Sequence, residues 1–191
     1  MRIIAGQFRS RQLRSLRGAG IRPTSDRLRE TLFNVLCAGN PDALEGSVWV
    51  DLFAGTGAVG IEALSRGAAM VHFVESSKPA TELIRKNLDP LGITGRFQIL
   101  KQDVGRAITA LDLQQVRPNF IFLDPPYAMR EAYAHTLAAL ANSGLSAGAL
   151  IIAEHEKKFD PGDQFQKLRR VRRLDQGDAS LSFYRMEECY N

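Results

Sequence analysis

The stretch Val48-Trp49-Val50-Asp51-Leu52-Phe53-Ala54-Gly55-Thr56-Gly57-Ala58-Val59-Gly60 decides the fold. Its first half is a short apolar run rich in β-branched and aromatic residues, the make-up of a buried strand. Its second half spaces glycines at 55, 57 and 60, as in a strand-to-helix turn that approaches an adenosine-bearing cofactor. Glu75 stands 20 residues past Gly55, at the end of a second apolar run, where a carboxylate can hold a ribose diol. Glycine at these positions also serves a tight turn with no ligand. The strand before it, the helix after it and the acid at the right distance favour the cofactor.

Outward from this turn the chain alternates strand and helix. Strands are predicted at Val48 to Phe53, Val71 to Glu75, Phe97 to Lys101, Phe120 to Asp124 and Ala149 to Glu154, with helices beginning near Ala58, Lys78, Val104 and Arg130. Repeated βα units of this length imply a parallel sheet covered on both faces, with right-handed crossovers. Past residue 165 two β-rich runs, Leu168 to Leu174 and Ser180 to Met186, flank Asp175-Gln176-Gly177-Asp178 and predict an antiparallel hairpin that closes the sheet. Upstream, residues 2–16 read as a small hairpin around Gly6-Gln7, and 26–37 as a helix with Leu28, Leu32, Val35 and Leu36 on one face. No repeat or long linker divides the 191 residues, so a single domain is expected, with 1–40 as a basic extension and 41–191 as the core.

The net charge of +4 is unevenly spread. Residues 1–30 carry eight arginines against Asp26 and Glu30, a net of +6, which leaves −2 for the remainder. Arginine to the exclusion of lysine favours forked contacts to phosphate, so Arg9, Arg11, Arg14, Arg22 and Arg27 are candidate nucleic-acid contacts. A solvated charged arm is the plainer reading of the same residues. Lys167-Leu168-Arg169-Arg170-Val171-Arg172-Arg173 adds a second basic cluster, which also suits an edge strand protected by charge. No apolar run approaches the ~20 residues of a membrane span and no secretory leader is legible. Two cysteines, Cys37 and Cys189, lie far apart without metal-like spacing, and the three histidines share none either, so no metal site and a reducing cytoplasm are expected. With no heptad and no evident apolar patch, a monomer is the default.

Asp124-Pro125-Pro126-Tyr127 follows directly on the apolar run Phe120-Ile121-Phe122-Leu123. Neither proline has an N–H, so the segment offers carbonyls and one carboxylate without donors of its own. An amino group on a flat heterocycle can place its N–H bonds there while its ring stacks on Tyr127. The same residues also read as a strand stop whose end Tyr127 covers. Charge bears on the cofactor. A dinucleotide brings a pyrophosphate that wants helix N-terminal amides and no nearby anion, yet Asp51 sits close to the loop. S-adenosylmethionine brings a sulfonium and an ammonium with no phosphate, so a carboxylate attracts it. Phe53, Ala54, Gly55 and Gly57 then line the donor, with Glu75 and Ser76 at the second strand end. Asp103 faces the adenine amino group and the Val104 amide the ring. Asp103 serves equally as a helix N-cap.

Asp51-Leu52-Phe53-Ala54-Gly55-Thr56-Gly57, Glu75 and Asp124-Pro125-Pro126-Tyr127, in that order, resemble class I S-adenosylmethionine-dependent methyltransferases that modify exocyclic amino groups. Arg2-Ile3-Ile4-Ala5-Gly6, Arg22-Pro23-Thr24-Ser25-Asp26-Arg27-Leu28-Arg29-Glu30-Thr31-Leu32-Phe33-Asn34 and Glu62-Ala63-Leu64-Ser65-Arg66-Gly67-Ala68 narrow the resemblance to the bacterial RsmD family. That resemblance implies a Rossmann-like α/β fold, a seven-stranded, mostly parallel sheet with one antiparallel strand. It also implies 16S ribosomal RNA as partner, within a 30S subunit or an assembly intermediate, and the N2 of a guanosine, guanosine 966 of the subunit head, as acceptor. Asp124 and the Pro125 carbonyl would then accept from the N2 amine, with Pro126 shaping the cradle and Tyr127 stacking on the base. Two other readings stand beside it. One is a DNA amino-methyltransferase acting on adenine or cytosine, which the same four residues also suit. The other is a non-catalytic RNA-binding module. His72 and Trp49 read as core residues, and Glu30 and Asn34 as surface positions that the resemblance brings toward the cofactor.

Overall fold

Each of the first four apolar runs after the N-terminal region ends at residues that stop a strand and start a helix, and the computed structural model, which describes residues 1–15 and 26–187, follows that punctuation closely. Strand β1 (Val48–Leu52) passes through the glycine loop into α2 (Ala58–Ser65), preceded by α1 (Asp26–Leu36). Strand β2 (Met70–Val74) leads to α3 (Lys78–Leu88), whose second residue is a proline, and β3 (Phe97–Leu100) leads to α4 (Val104–Leu113), capped by Asp103. Strand β4 (Phe120–Leu123) precedes the two prolines and α5 (Arg130–Ala141). Strand β5 (Leu150–Glu156) is followed by β6 (Gln164–Phe165), β7 (Leu168–Gln176) and β8 (Ala179–Met186).

The sheet order is β3-β2-β1-β4-β5-β8-β7-β6. The first five strands are parallel, and β8 runs against β5. This matches the expected seven strands with one reversed, and adds an eighth, the two-residue β6, antiparallel to the edge of β7. Alternation along β1 sends Trp49 to one face and Val50 and Leu52 to the other. Trp49 packs with Phe33 of α1 and stacks on Phe120 at 4.7 Å between ring centroids, in a core shared with α2 and α3. Val50 and Leu52 pack with Ile108 of α4 and Leu137 of α5 on the opposite side. None of the described helices is long and apolar enough to cross a membrane.

The N-terminal arm turns back on itself as predicted, Ile3 donating to the Arg11 carbonyl at 3.0 Å and Leu13 to the Met1 carbonyl at 3.1 Å, but it does not extend into a regular two-stranded ladder. It makes a single antiparallel bridge, Arg2 to Gln12, and residues 5–10 fold as bends and turns. The reason lies in where its amides go. Ile4 and Ala5 donate to the Glu62 carboxylate at 2.8 and 2.9 Å, Gln7 to the Ser65 carbonyl at 2.7 Å, and Phe8 to the Ser65 hydroxyl at 3.0 Å. These donors are satisfied by α2 rather than across a ladder. Gly6 makes the approach possible, because a Cβ there would collide with the Ser65 carbonyl. The buried face of α1 also departs from prediction. Leu28 and Leu32 face the core, but Arg29 and Phe33 join them while Val35 and Leu36 stay half-buried. The helix is rotated toward the Arg29 to Glu62 ion pair and the Phe33 to Trp49 ring contact.

Candidate active site

Crossovers leave β1 and β4 for opposite sides of the sheet, so the crevice of an open α/β fold lies above the carboxyl ends of these two strands. Their register pairs Leu52 with Leu123. Phe53 and Asp124, one residue further along, therefore begin the two loops that border the crevice.

The loop after β1 has little left to give an anionic ligand. Gly55 donates its N–H to Glu75 Oε2 at 2.9 Å, Gly57 to the Ala54 carbonyl at 2.7 Å and Gly60 to Asp51 Oδ2 at 3.0 Å. The third glycine is required by packing, since a Cβ on Gly60 would collide with the ring of Phe73 in β2. Phe53 holds a left-handed backbone, φ 61°, a strained state costing on the order of 1 kcal/mol that clusters at ligand sites. Glu75 takes Gly55 on one oxygen and the Ser77 N–H on the other, at 2.8 Å, which pins the loop to the end of β2. Ser76 is exposed beside it. Asp51 is buried beneath the loop, and its carboxyl is pushed up to about 7 by burial and by the charge of Glu75, against the Gly60 hydrogen bond that holds it down. A site with two carboxylates and spent amides welcomes a cation and repels a pyrophosphate.

Asp103 caps α4 by accepting the Arg106 N–H at 3.0 Å and is exposed at the end of β3, with Val104 partly buried behind it. The cap leaves its second oxygen beside Arg106, at 3.3 Å from Nε.

Across the crevice, Pro125 is buried, Asp124 and Tyr127 are half-buried and Pro126 is exposed. The Pro126 carbonyl accepts from Met129 N–H at 2.7 Å, which closes the turn into α5. Tyr133 of α5 reaches back with its hydroxyl 2.8 Å from the Glu154 carbonyl and 3.4 Å from the Pro125 carbonyl. One hydroxyl proton serves the shorter contact, so the Pro125 carbonyl keeps acceptor capacity. Burial, with the charges of Asp124 and its neighbours, raises the Tyr133 pKa and keeps the phenol neutral.

The arginines divide. Arg9, Arg11 and Arg14 are exposed on the arm and Arg27 on α1, whereas Arg22 lies outside the described residues. Arg29 is buried, donating to Asp26 at 2.9 Å and to the Arg2 carbonyl. The second basic cluster is largely spent on acids, Arg170 and Arg173 on Asp160 at 2.7 and 3.2 Å, so its paired members hold the hairpin rather than offering free charge. Trp49 is core, and His72 is buried with Nδ1 2.9 Å from Gln98 Oε1, its pKa lowered by burial. Glu30 and Asn34 are exposed.

The anchoring roles of three polar residues were not legible in the sequence, although Glu62 and Ser65 fall in a stretch that carries the family resemblance. Glu62 and Ser65 anchor the arm, and Asn87 of α3 accepts the Arg14 N–H at 2.8 Å while donating to the Thr56 carbonyl at 3.0 Å. For Glu62 and Ser65 the local signal was polar identity three positions apart on one buried helix face, and Asn87 carried no comparable signal.

The family model described as Conserved hypothetical protein 95 matches residues 1–185. Ribosomal RNA small subunit methyltransferase D of Haemophilus influenzae is 38% identical over 160 residues, 82% of this chain and 79% of its own. Its namesake in Escherichia coli K12 is 38% identical over 157 residues, 82% and 75% of the two chains. The solved structure of a hypothetical protein from Thermus thermophilus superposes with a TM-score of 0.80 at 29% identity, covering 97% of this chain and 99% of its own. A more distant solved structure, complexed with S-adenosylhomocysteine, shares the fold at 18% identity and a TM-score of 0.65, covering 86% and 50%. The fold is that of class I methyltransferases, and the chain belongs to the ribosomal RNA small subunit methyltransferase D family.

Proposed function

We propose that this chain methylates the exocyclic N2 of one guanosine in 16S ribosomal RNA, guanosine 966 being the nucleotide the family resemblance points to. The methyl donor is S-adenosylmethionine. One observation carries the reading: the Leu52 to Leu123 register sets an acidic loop with spent amides beside a segment that is rich in acceptors. Asp51 and Glu75 suit a cationic, phosphate-free donor, and Asp103 and the Val104 amide fit its adenine. When bound, the donor supplies an electrophilic methyl on a sulfonium.

The chain's own residues do the rest. The lone pair of guanine N2 is delocalised into the ring, so the amine needs acceptors that draw its two N–H bonds out of plane. The Asp124 carboxylate and the Pro125 carbonyl act in that way, Pro126 fixes the cradle through its turn, and Tyr127 stacks on the base. An ordinary carboxylate is a weak base. Orientation is therefore the first duty of Asp124, because a nitrogen made cationic by transfer sheds its proton without a strong base. A base held in this way is unpaired, which suits a splayed or flipped nucleotide in RNA, with Arg9, Arg11, Arg14, Arg22 and Arg27 on phosphates around it. The chain works as a cytoplasmic monomer on the RNA of a 30S subunit or an assembly intermediate.

Mass mapping of 16S RNA from cells with and without the protein tests this. One N2-methylguanosine should vanish with the protein, return with the wild-type chain and stay absent with Asp124→Ala. Unchanged N2-methylguanosine, or loss of a methylated adenine instead, would overturn it.

A further inference from the structure

Exposed basic residues without an ion pair among the described residues lie on both sides of Asn87, on the arm and on α3. On β7 and its surroundings, Arg169 pairs with Glu187, Arg170 with Asp160 and Asp163, and Arg173 with Asp160 and Asp175. On the arm, Arg9, Arg11 and Arg14 are exposed and have no acidic partner within 4.0 Å among the described residues. Arg14 is held by its backbone: Asn87 Oδ1 accepts its N–H at 2.8 Å and Asn87 Nδ2 donates to its carbonyl at 3.2 Å. Asn87 is buried in the last turn of α3, and Arg85 and Lys86, immediately before it, are exposed and likewise without an ion pair among the described residues. Glu82, the acid one turn earlier, is engaged with Lys78 at 3.9 Å, and Asp89 opens the following 3₁₀ turn.

We propose that the RNA-binding surface continues from the arm onto the last turn of α3, where Arg85 and Lys86 contact phosphates next to Arg14. This rests on the reading of the chain as an RNA methyltransferase. The Asn87 side chain that clamps Arg14 also donates to the Thr56 carbonyl of the donor loop, so a strand lying along this surface passes beside the donor site. Arginine supplies a fork and lysine a point charge, a pairing suited to a flexible backbone. A purely local role exists for both side chains, since cations favour a helix C-terminus by about 0.3–1 kcal/mol. That role affects stability and leaves RNA affinity alone.

The test is filter binding of the full chain to protein-free 16S RNA between about 50 and 200 mM salt, with Arg85→Gln/Lys86→Gln beside wild type. The slope of log K against log salt should become shallower by about 1.4, two contacts at ~0.7 each for single strands. KM for RNA should rise while donor Kd and kcat at saturation hold. Arg172→Gln/Arg185→Gln removes the same charge from two exposed positions of the terminal hairpin and should leave the slope near wild type. An unchanged slope in the α3 variant, or an equal loss in the hairpin variant, overturns the proposal while the RNA methyltransferase reading stands. Failure of the wild-type chain to bind the RNA, both free and within 30S particles, overturns both.

Discussion

Glu62 Oε2 accepts the N–H of Ile4 at 2.8 Å, tying the helix after the glycine loop to an arm 58 residues earlier in the chain. The same buried carboxylate takes the Ala5 N–H at 2.9 Å and Arg66 Nε at 2.8 Å, and Arg29 Nε stands 3.8 Å away with its guanidinium fully buried. Removing one member of a buried ion pair strands the other, at a cost of about 3–5 kcal/mol, while replacing the whole pair by apolar groups is often neutral. Glu62→Ala should therefore destabilise by about 3–5 kcal/mol in urea unfolding, and Arg29→Met in that background should recover part of the loss. A double variant as unstable as the sum of the singles would mean that the two residues are energetically independent.

This hub shows where the sequence was legible. The starts of α2, α3, α4 and α5 fall at Ala58, Lys78, Val104 and Arg130 as read, because each is announced locally by Gly57, by Ser77 and Pro79, by Asp103 or by the double proline. The loops that border the crevice were legible for the same reason. Glu62, Ser65 and Asn87 were not, because their partners Ile4, Ala5, Phe8 and Arg14 lie 57 to 73 residues away and nothing local separates a buried polar helix residue from a solvated one. Arg29 counted among the basic residues of the N-terminal stretch, yet it is buried against Glu62 and adds nothing to the surface. Charge counting reads composition and cannot see pairing, which is why the β7 arginines also looked free.

Asp51 makes stability depend on pH in an unusual sense for a carboxylate. Its folded-state pKa of about 7 lies above the 3.8 of an ordinary aspartate, so between these values the folded chain holds a proton that the unfolded chain has lost. The stabilisation from this group is full below about pH 4, declines as pH rises and is gone above about pH 7, a change of up to about 4 kcal/mol. Asp51→Asn keeps an acceptor for Gly60 and removes the titration, so its unfolding free energy should lack this decline. Affinity for the cationic donor should run the other way in wild type, tightening as pH rises through about 7 with release of a proton, and staying flat in Asp51→Asn. Donor Kd and proton release by calorimetry in two buffers of different ionisation heat decide it. Binding that weakens with rising pH would place the cation elsewhere.

The proposed reading gives Asp124 and Asp51 different functions in one crevice. If Asp124 orients the amine and Asp51 faces the donor, Asp124→Asn should lower kcat by about 10²-fold or more, the usual cost of losing an oriented polar contact in a transition state, with donor Kd within about threefold of wild type. The asparagine keeps one acceptor oxygen, so Asp124→Ala should fall further still. Equilibrium donor binding and single-turnover methylation of 16S RNA measure the two quantities separately. A loss in donor affinity that accounts for the whole loss in rate would move Asp124 from the acceptor side of the crevice to the donor side.

Asn87 joins those two sides to the arm. Its amide donates to the Thr56 carbonyl at 3.0 Å and its carbonyl accepts the Arg14 N–H at 2.8 Å, so one buried side chain fixes both the donor loop and the last described turn of the arm. Each net hydrogen bond is worth about 0.5–1.5 kcal/mol, and a buried group left without its partner costs about 1–3 kcal/mol. Asn87→Ala should therefore weaken donor and RNA binding together, each by about 10-fold, because the loop and the arm lose the same support. Asn87→Asp retains the acceptor for the Arg14 N–H but loses the donor to both the Thr56 and the Arg14 carbonyls, so the loop loses its one bond to this side chain and the arm one of two, and donor affinity should suffer more than RNA affinity. A residue that merely supported the fold would lower the unfolding temperature without moving either Kd well below it. Measured at about 25 °C, far under the transition, an Asn87→Ala chain with unaltered donor Kd and weakened RNA binding would show that the clamp stops at the arm and does not reach the loop.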